Sequence, residues 1–239
     1  MTFHIITIFP HIFDSYFNES ILARAQKRGL IRIKIYNLRD WAQDRHKTVD
    51  DKPFGGGAGM VMKADVIYKA IENINFQIKN QNVKSNPNSK FRILKSNIIN
   101  HKSKIILFSA KGKTWNQTIA RKYSRLDNII MICGRYEGVD ERVKKFVDEE
   151  ISIGDFVLTG GEIPAMVIVD SITRLRPQVL GNAASPRDES HSIAGCLEYP
   201  QYTRPETLDI EGKKYRVPKI LLSGNHQTIA EWRKKNIKK

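Results

Sequence analysis

The chain has 239 residues, 41% hydrophobic and 27% charged, enough for one substantial core or a main domain with a small companion. Forty Lys and Arg against twenty-five Asp and Glu leave a net charge of +15, which points to a polyanionic partner, most often nucleic acid, and names no reaction. No apolar run reaches the roughly eighteen residues that would span a bilayer, and the N-terminus shows no basic leader or cleavage site. The two cysteines, Cys133 and Cys196, lack metal-type spacing and suit a reduced, cytoplasmic protein with no structural metal.

In chain order, "HIITIF" (4–9) reads as a buried strand ended by Pro10. "SILARAQKRG" (20–29) has helical spacing, with Ser20 or Asn18 as cap and Gly29 as stop. "IRIKIYN" (31–37) alternates as a strand, so strand, helix, strand opens an α/β sheet. A second helix is predicted over 63–74, followed by an Asn/Lys-rich surface insert over 75–102 with little apolar periodicity. From Asn73 to Leu126 there are twelve Lys or Arg and no Asp or Glu, consistent with either an RNA-facing surface or a lysine-biased genome.

Three further strands are predicted at 104–108, 128–133 and 150–158, each running into a glycine-containing loop ("SAKGK", "GRYEG", "TGGE"), and a helix follows over 163–177. Ligands of open α/β sheets bind beyond the carboxyl ends of the strands, so three such loops in succession predict a pocket. The carboxylates around them (Glu137, Asp140, Glu141, Asp148, Glu149, Glu150, Asp155, Glu162) would repel phosphate and tolerate a cationic ligand such as a sulfonium. "FGGGAGM" (54–60) lacks the Lys-Ser/Thr of a triphosphate loop, and no dinucleotide fingerprint follows the first strand. After Gly181 the small, polar texture over 182–198 reads as a linker, and 199–239 as a short, basic, helical piece.

Six motifs then come in one order: "HKTVDDKPFGGGAGMVM" (46–62), "ICGRYEGVDERV" (132–143), "VDEEISIGDFVLTGGE" (147–162), "VDSITRLRPQVLG" (169–181), "GCLEYPQYTRP" (195–205) and "LLSGNHQTIAEWR" (221–233). On these the chain closely resembles the bacterial tRNA (guanine-37-N1) methyltransferases, members of the SPOUT class, over essentially its whole length outside the insert. The resemblance implies an α/β domain over 1–181 whose mostly parallel sheet is flanked by helices and carries a deep trefoil knot in its C-terminal half. It further implies a tRNA-contacting domain over 199–239, an obligate homodimer with shared active sites, and S-adenosylmethionine as methyl donor, with magnesium assistance left open.

Matched position by position, the resemblance assigns to the cofactor Ser109, Ala110 and Lys111 from the first loop. It takes Gly134, Tyr136, Glu137 and Gly138 from the second, and Ile153, Gly154, Asp155, Phe156, Val157, Leu158, Gly160 and Gly161 from the third. His46, Asp50, Gly55, Gly56, Gly57 and Gly59 fall at positions near the target guanine. Guanine N1 carries a proton at neutral pH, so its methylation needs a base, and the negative charge that builds on the exocyclic oxygen calls for a cation. The resemblance gives these roles to a linker carboxylate, Glu189 or its neighbour Asp188, and to Arg174. "SAKGK" departs from the family's usual Pro-Gln, so Ala110 and Lys111 are expected to contribute backbone contacts. The chain also ends well short of the usual helical C-terminal domain, with the insert and Lys-rich tail as electrostatic substitutes. A non-catalytic RNA-binding protein of the translation apparatus is the alternative reading, which the charge alone supports equally.

Overall fold

A computed structural model describes residues 1–81, 102–181, 189–192 and 195–237. They fall into two compact units, Met1–Gly181 and Asn182–Lys239. In the first unit β1 (Thr2–Thr7) leads through α1 (Asp14–Phe17) and α2 (Ser20–Lys27) to β2 (Arg32–Asn37). A two-residue pair, β3 (Asp50–Asp51) and β4 (Val61–Met62), precedes α3 (Ala64–Gln81). Then come β5 (Ser103–Thr114), α4 (Gln117–Tyr123), β6 (Asn128–Ile132), β7 (Glu149–Ser152) and α5 (Glu162–Thr173).

The five long strands form one wholly parallel sheet in the order β2-β1-β6-β5-β7. Parallel sheets are covered on both faces, which is why β1, β6 and the first half of β5 run largely apolar, whereas the edge strand β2 alternates with polar residues. Successive side chains point to opposite faces. Phe3, Ile5, Ile106, Ile129, Met131 and Ile151 pack under α2, α4 and α5, while Ile6, Ile105, Leu107, Ile130 and Ile132 pack under α3 and the 143–147 turn. Fully burying each such side chain is worth about 1.5–3 kcal/mol, so the two clusters hold the central strands rigid.

Four sequence expectations change here. The second helix does not stop at 74 but runs to Gln81, because Ile71, Ile74 and Ile78 continue its apolar stripe onto the sheet; of the supposed insert, 75–81 is therefore helix and 82–101 lies outside the described residues. The last strand is β7 alone, and 153–158 leaves the sheet as loop. Neither Ser20 nor Asn18 caps α2, which starts after Glu19 with no side-chain cap, whereas Gly29 (φ 68°) does end it, with Leu30 N–H donating to Ala25 O. The second unit is not purely helical: a hairpin of β8 (Thr207–Ile210) and β9 (Lys213–Arg216) precedes α6 (His226–Lys235).

Because the order passes from β1 directly to β6, and the β6–β7 connection steps over β5, the C-terminal ends of β5, β6 and β7 are brought side by side. β5 is interrupted where its register on β7 slips between Phe108 and Lys113, so Ser109–Gly112 bulges away from the ladder. Gly112 is required at the return, since a Cβ there would lie 2.6 Å from the amide nitrogen of Ile151.

Candidate active site

The loops after β5, β6 and β7 enclose one cleft of about 290 Å³. It is lined by Ser109, Ala110 and Lys111, by Gly134, Tyr136, Glu137 and Gly138, and by Ile153, Gly154, Phe156, Val157, Leu158, Gly160 and Gly161. Of the residues that the sequence reading assigned to a cofactor, Asp155 alone does not line it.

Local geometry explains the glycines. Gly161 donates its N–H to Gly134 O at 2.9 Å, and a Cβ on it would stand 2.6 Å from Cys133 Cα. The N-cap of α5 is accordingly glycine with no side-chain cap, and the helix starts flush against the end of β6. The opposite wall is apolar and partly open to solvent: Tyr136 is 46% exposed, Phe156 53%, Val157 87% and Leu158 38%. Apolar side chains of this size beside backbone amides can hold a flat heterocycle and read its edge.

Most of the carboxylates expected to give the rim a negative field are neutralised at short range. Lys144 lies 2.6 Å from Glu141 and 3.2 Å from Glu150, and Lys104 lies 3.4 Å from Glu149 and 4.0 Å from Asp148. Asp140 holds Arg142 at 2.6 Å, and that hydrogen bond keeps its carboxyl below the usual range. Among the described residues, Glu137 is the acidic lining residue that makes no ion pair. Its carboxylate is therefore the local feature that would favour a cation.

The glycine loop between β3 and β4 is fastened to the second pocket loop. Glu137 N–H donates to Met60 O at 3.0 Å, Met62 N–H to Gly138 O at 3.0 Å, and Asp140 N–H to Met62 O at 3.0 Å. Gly55, Gly56, Gly57 and Gly59 all adopt positive φ, and a Cβ on Gly59 would collide with the Glu137 side chain. Asp50 stands opposite Met62 in the short ladder, while His46 is exposed in the Asp44-anchored turn before it. Arg174 caps the C-terminal end of α5 and does not line the cleft. Glu189 belongs to the second unit, and Asp188 lies outside the described residues.

Sequence reading passed over Arg135, which also lines the cleft. Its Nε contacts Glu162 Oε2 at 2.9 Å, and Glu162 is 1% exposed. A lone acid opening the apolar run "EIPAMVIV", with an arginine inside "GRYEG", was the available clue.

Among the described residues no group of His, Cys, Asp and Glu is arranged to hold a metal ion, and no helix is long and apolar enough to cross a membrane. A family model described as tRNA (Guanine-1)-methyltransferase TrmD matches residues 1–239. The chain is 52% identical over 231 residues to a tRNA (guanine-N(1)-)-methyltransferase of Dictyoglomus turgidum, covering 97% of this chain and 82% of the relative. It is 51% identical over 236 residues to that of Citrifermentans bemidjiense (98% and 84%) and 48% over 235 residues to that of Clostridioides difficile (98% and 91%).

Proposed function

The chain belongs to the tRNA (guanine-1)-methyltransferase family, and on that premise we propose that it methylates N1 of guanosine 37 in tRNA, with S-adenosylmethionine held in the strand-end cleft. The observation that carries the assignment of the cleft is the convergence of three loops, separated in sequence, on one cavity lined by glycine backbone and apolar side chains. The cradle suits the group: Gly134, Gly160 and Gly161 line it with backbone, Phe156 and Leu158 offer apolar faces for an adenine, and Glu137 offers a charge for the cationic end. When bound, S-adenosylmethionine supplies an electrophilic methyl on sulfur.

The chain's own residues supply the rest. Glu189 takes the N1 proton of guanine, with Asp188 as the competing carboxylate, and Arg174 stands at the exocyclic oxygen where negative charge builds. The loop around Gly55–Gly59, with His46 and Asp50 before it, offers backbone to the target base; its tether to Glu137 and Gly138 supports this reading.

The chain works as a homodimer with an active site shared between subunits. Ile163, Val167, Asp170 and Arg174 follow i, i+4, i+7, i+11 spacing and share one face of α5. Ile163 and Val167 are 53% and 39% exposed, and Tyr16 joins this face through a 2.6 Å hydrogen bond to Asp170. An apolar face that runs into Arg174 is suited to a second copy, whose linker would bring its carboxylate to the same guanine. The close passage of Gly112 over Ile151 and of Gly161 over Cys133 supports a SPOUT-type trefoil knot in this half of the domain. The exposed basic surface of the second unit, with Lys213, Lys214, Arg216, Arg233 and Lys234, supports tRNA contact. The cellular site is the cytoplasm, where tRNA is the abundant partner.

The test is transfer of labelled methyl from S-adenosylmethionine to unmodified tRNA with guanosine at 36 and 37, beside the same tRNA with adenosine at 37. Label on the first substrate only is expected. Equal label on both sinks the position assignment, and no cofactor binding at all sinks the assignment of the cleft. In the same assay Glu189→Gln is expected to lower turnover about 10²–10⁴-fold; full activity in that variant would move the base to Asp188.

A further inference from the structure

Glu162 is the one fully buried carboxylate among the described residues. A buried charge is costly unless paired and hydrogen-bonded, and here three groups serve it. Arg135 Nε contacts Oε2 at 2.9 Å, the Thr7 hydroxyl donates to Oε1 at 2.7 Å, and the carboxylate sits in the first turn of α5, where the helix dipole favours an anion. The guanidinium has further partners: Nη1 donates to Thr159 O at 3.3 Å, and its plane lies over the Phe9 ring, 4.7 Å from the centroid. The Arg135 amide meets Met62 Sδ at 3.1 Å. A Cβ on Gly160 would run into the Arg135 side chain, so the loop is shaped around it. The side chain thus meets Phe9 just beyond β1, Glu162 at the start of α5 and the third pocket loop, while its own backbone, in the second, touches Met62 of β4.

We propose that Arg135 and Glu162 are positioning residues for methyl transfer: the pair sets the separation of the second and third pocket loops and thereby the shape of the cofactor cleft. The proposal rests on the cleft being the S-adenosylmethionine site. The arginine fork is what the geometry uses, because Nε serves Glu162 while Nη1 serves Thr159. A lysine keeps the charge but cannot make both contacts in fixed geometry.

The experiment compares wild type with Arg135→Lys, Glu162→Gln, Thr7→Val and Thr7→Ser. It measures S-adenosylmethionine affinity by calorimetry without tRNA, KM for each substrate, kcat and melting temperature. For Arg135→Lys the dissociation constant and KM for S-adenosylmethionine are expected to rise about tenfold, with KM for tRNA and kcat at saturating cofactor within about threefold of wild type. Glu162→Gln, which keeps the shape and loses the charge, is expected to act in the same direction. Thr7→Val removes the hydroxyl that donates to the carboxylate and accepts from Phe9 N–H at 2.9 Å, while Thr7→Ser keeps both bonds as its control. The valine variant is expected to weaken cofactor binding about threefold and the serine variant not at all, and this pair decides the matter if the other variants do not fold. A folded Arg135→Lys with wild-type cofactor affinity overturns the proposal, as does a fall in kcat with cofactor KM unchanged. An affinity loss that vanishes well below the melting temperature also overturns it, because the pair then serves stability alone. If wild type itself binds no S-adenosylmethionine, the cleft assignment falls first and this proposal with it.

Discussion

Replacing Gly161 with alanine tests whether the cleft is built from two backbones in contact. A Cβ there would lie 2.6 Å from Cys133 Cα, 3.0 Å from Gly134 N and 3.2 Å from Cys133 C. Carbon atoms pack at about 3.5–4.0 Å, so the start of α5 and the end of β6 would have to part by about 1 Å. Neither yields readily: Cys133 is fully buried with its N–H on Ile6 O at 2.9 Å, and Gly161 N–H is bonded to Gly134 O at the same distance. Overpacking of this kind costs about 1–3 kcal/mol. In a domain of this size that lowers the melting temperature by about 2–12 °C. Since the same backbones wall the cleft, S-adenosylmethionine affinity should fall about tenfold or more. Gly181→Ala is the control, because nothing lies within 4 Å of its added Cβ. Calorimetric titration and thermal melts of the three proteins decide it. A Gly161→Ala protein that melts with the control and binds cofactor within about twofold of it would refute the packing argument.

Arg174→Ala should lower kcat about 10²–10³-fold while leaving cofactor affinity within about threefold, as single-turnover assays and calorimetry would show; an equal loss in both would place the residue in cofactor binding. His4 is buried between Tyr36 and Asn128, and desolvation lowers its imidazole from 6.5 to about 4. The folded state therefore binds fewer protons than the unfolded one: stability is full above pH 6.5 and falls as pH drops toward 4, by about 2 kcal/mol at pH 5. Urea titrations at pH 7 and pH 5 should show that His4→Gln removes most of this difference, and an unchanged difference would assign the acid sensitivity elsewhere. Asn225 caps α6 by accepting from Gln227 N–H at 3.0 Å and Thr228 N–H at 3.3 Å. Its replacement by alanine should cost that helix about 1 kcal/mol, visible as faster amide exchange in α6 with cofactor binding unaltered.

The sheet was legible because parallel strands buried on both faces leave short apolar runs in the sequence, as "HIITIF" and "NIIMIC" do. The cleft was legible because each strand ends in glycines. Strand order was not, since nothing local in β6 says that it lies between β1 and β5. The hairpin of the second unit escaped for another reason: "TLDI" and "KKYR" are four residues each and exposed throughout, so the alternation of Leu208 and Ile210 is too short to stand out and "KKYR" has none. The paired state of the rim carboxylates was equally hidden. Lys144 reaches Glu141 by helical-turn spacing, but its contact with Glu150 exists only once β7 is in place. The Arg135–Glu162 pair joins residues twenty-seven apart through a buried contact, which composition and spacing do not record.

The glycine loop between β3 and β4 is held at its base by a ladder of two residue pairs and on its returning side, at Met60 and Met62, by the second pocket loop, whereas Phe54 on its outgoing side is fully exposed. A segment so tethered opens locally at a small fraction of the global unfolding free energy. Phe54 is thus a natural cleavage point for chymotrypsin in the folded enzyme, and the scissile bond lies beside the backbone that we propose meets the target base. Protection of that bond by tRNA, measured as a slowed appearance of the two fragments, would report substrate engagement before any methyl has moved.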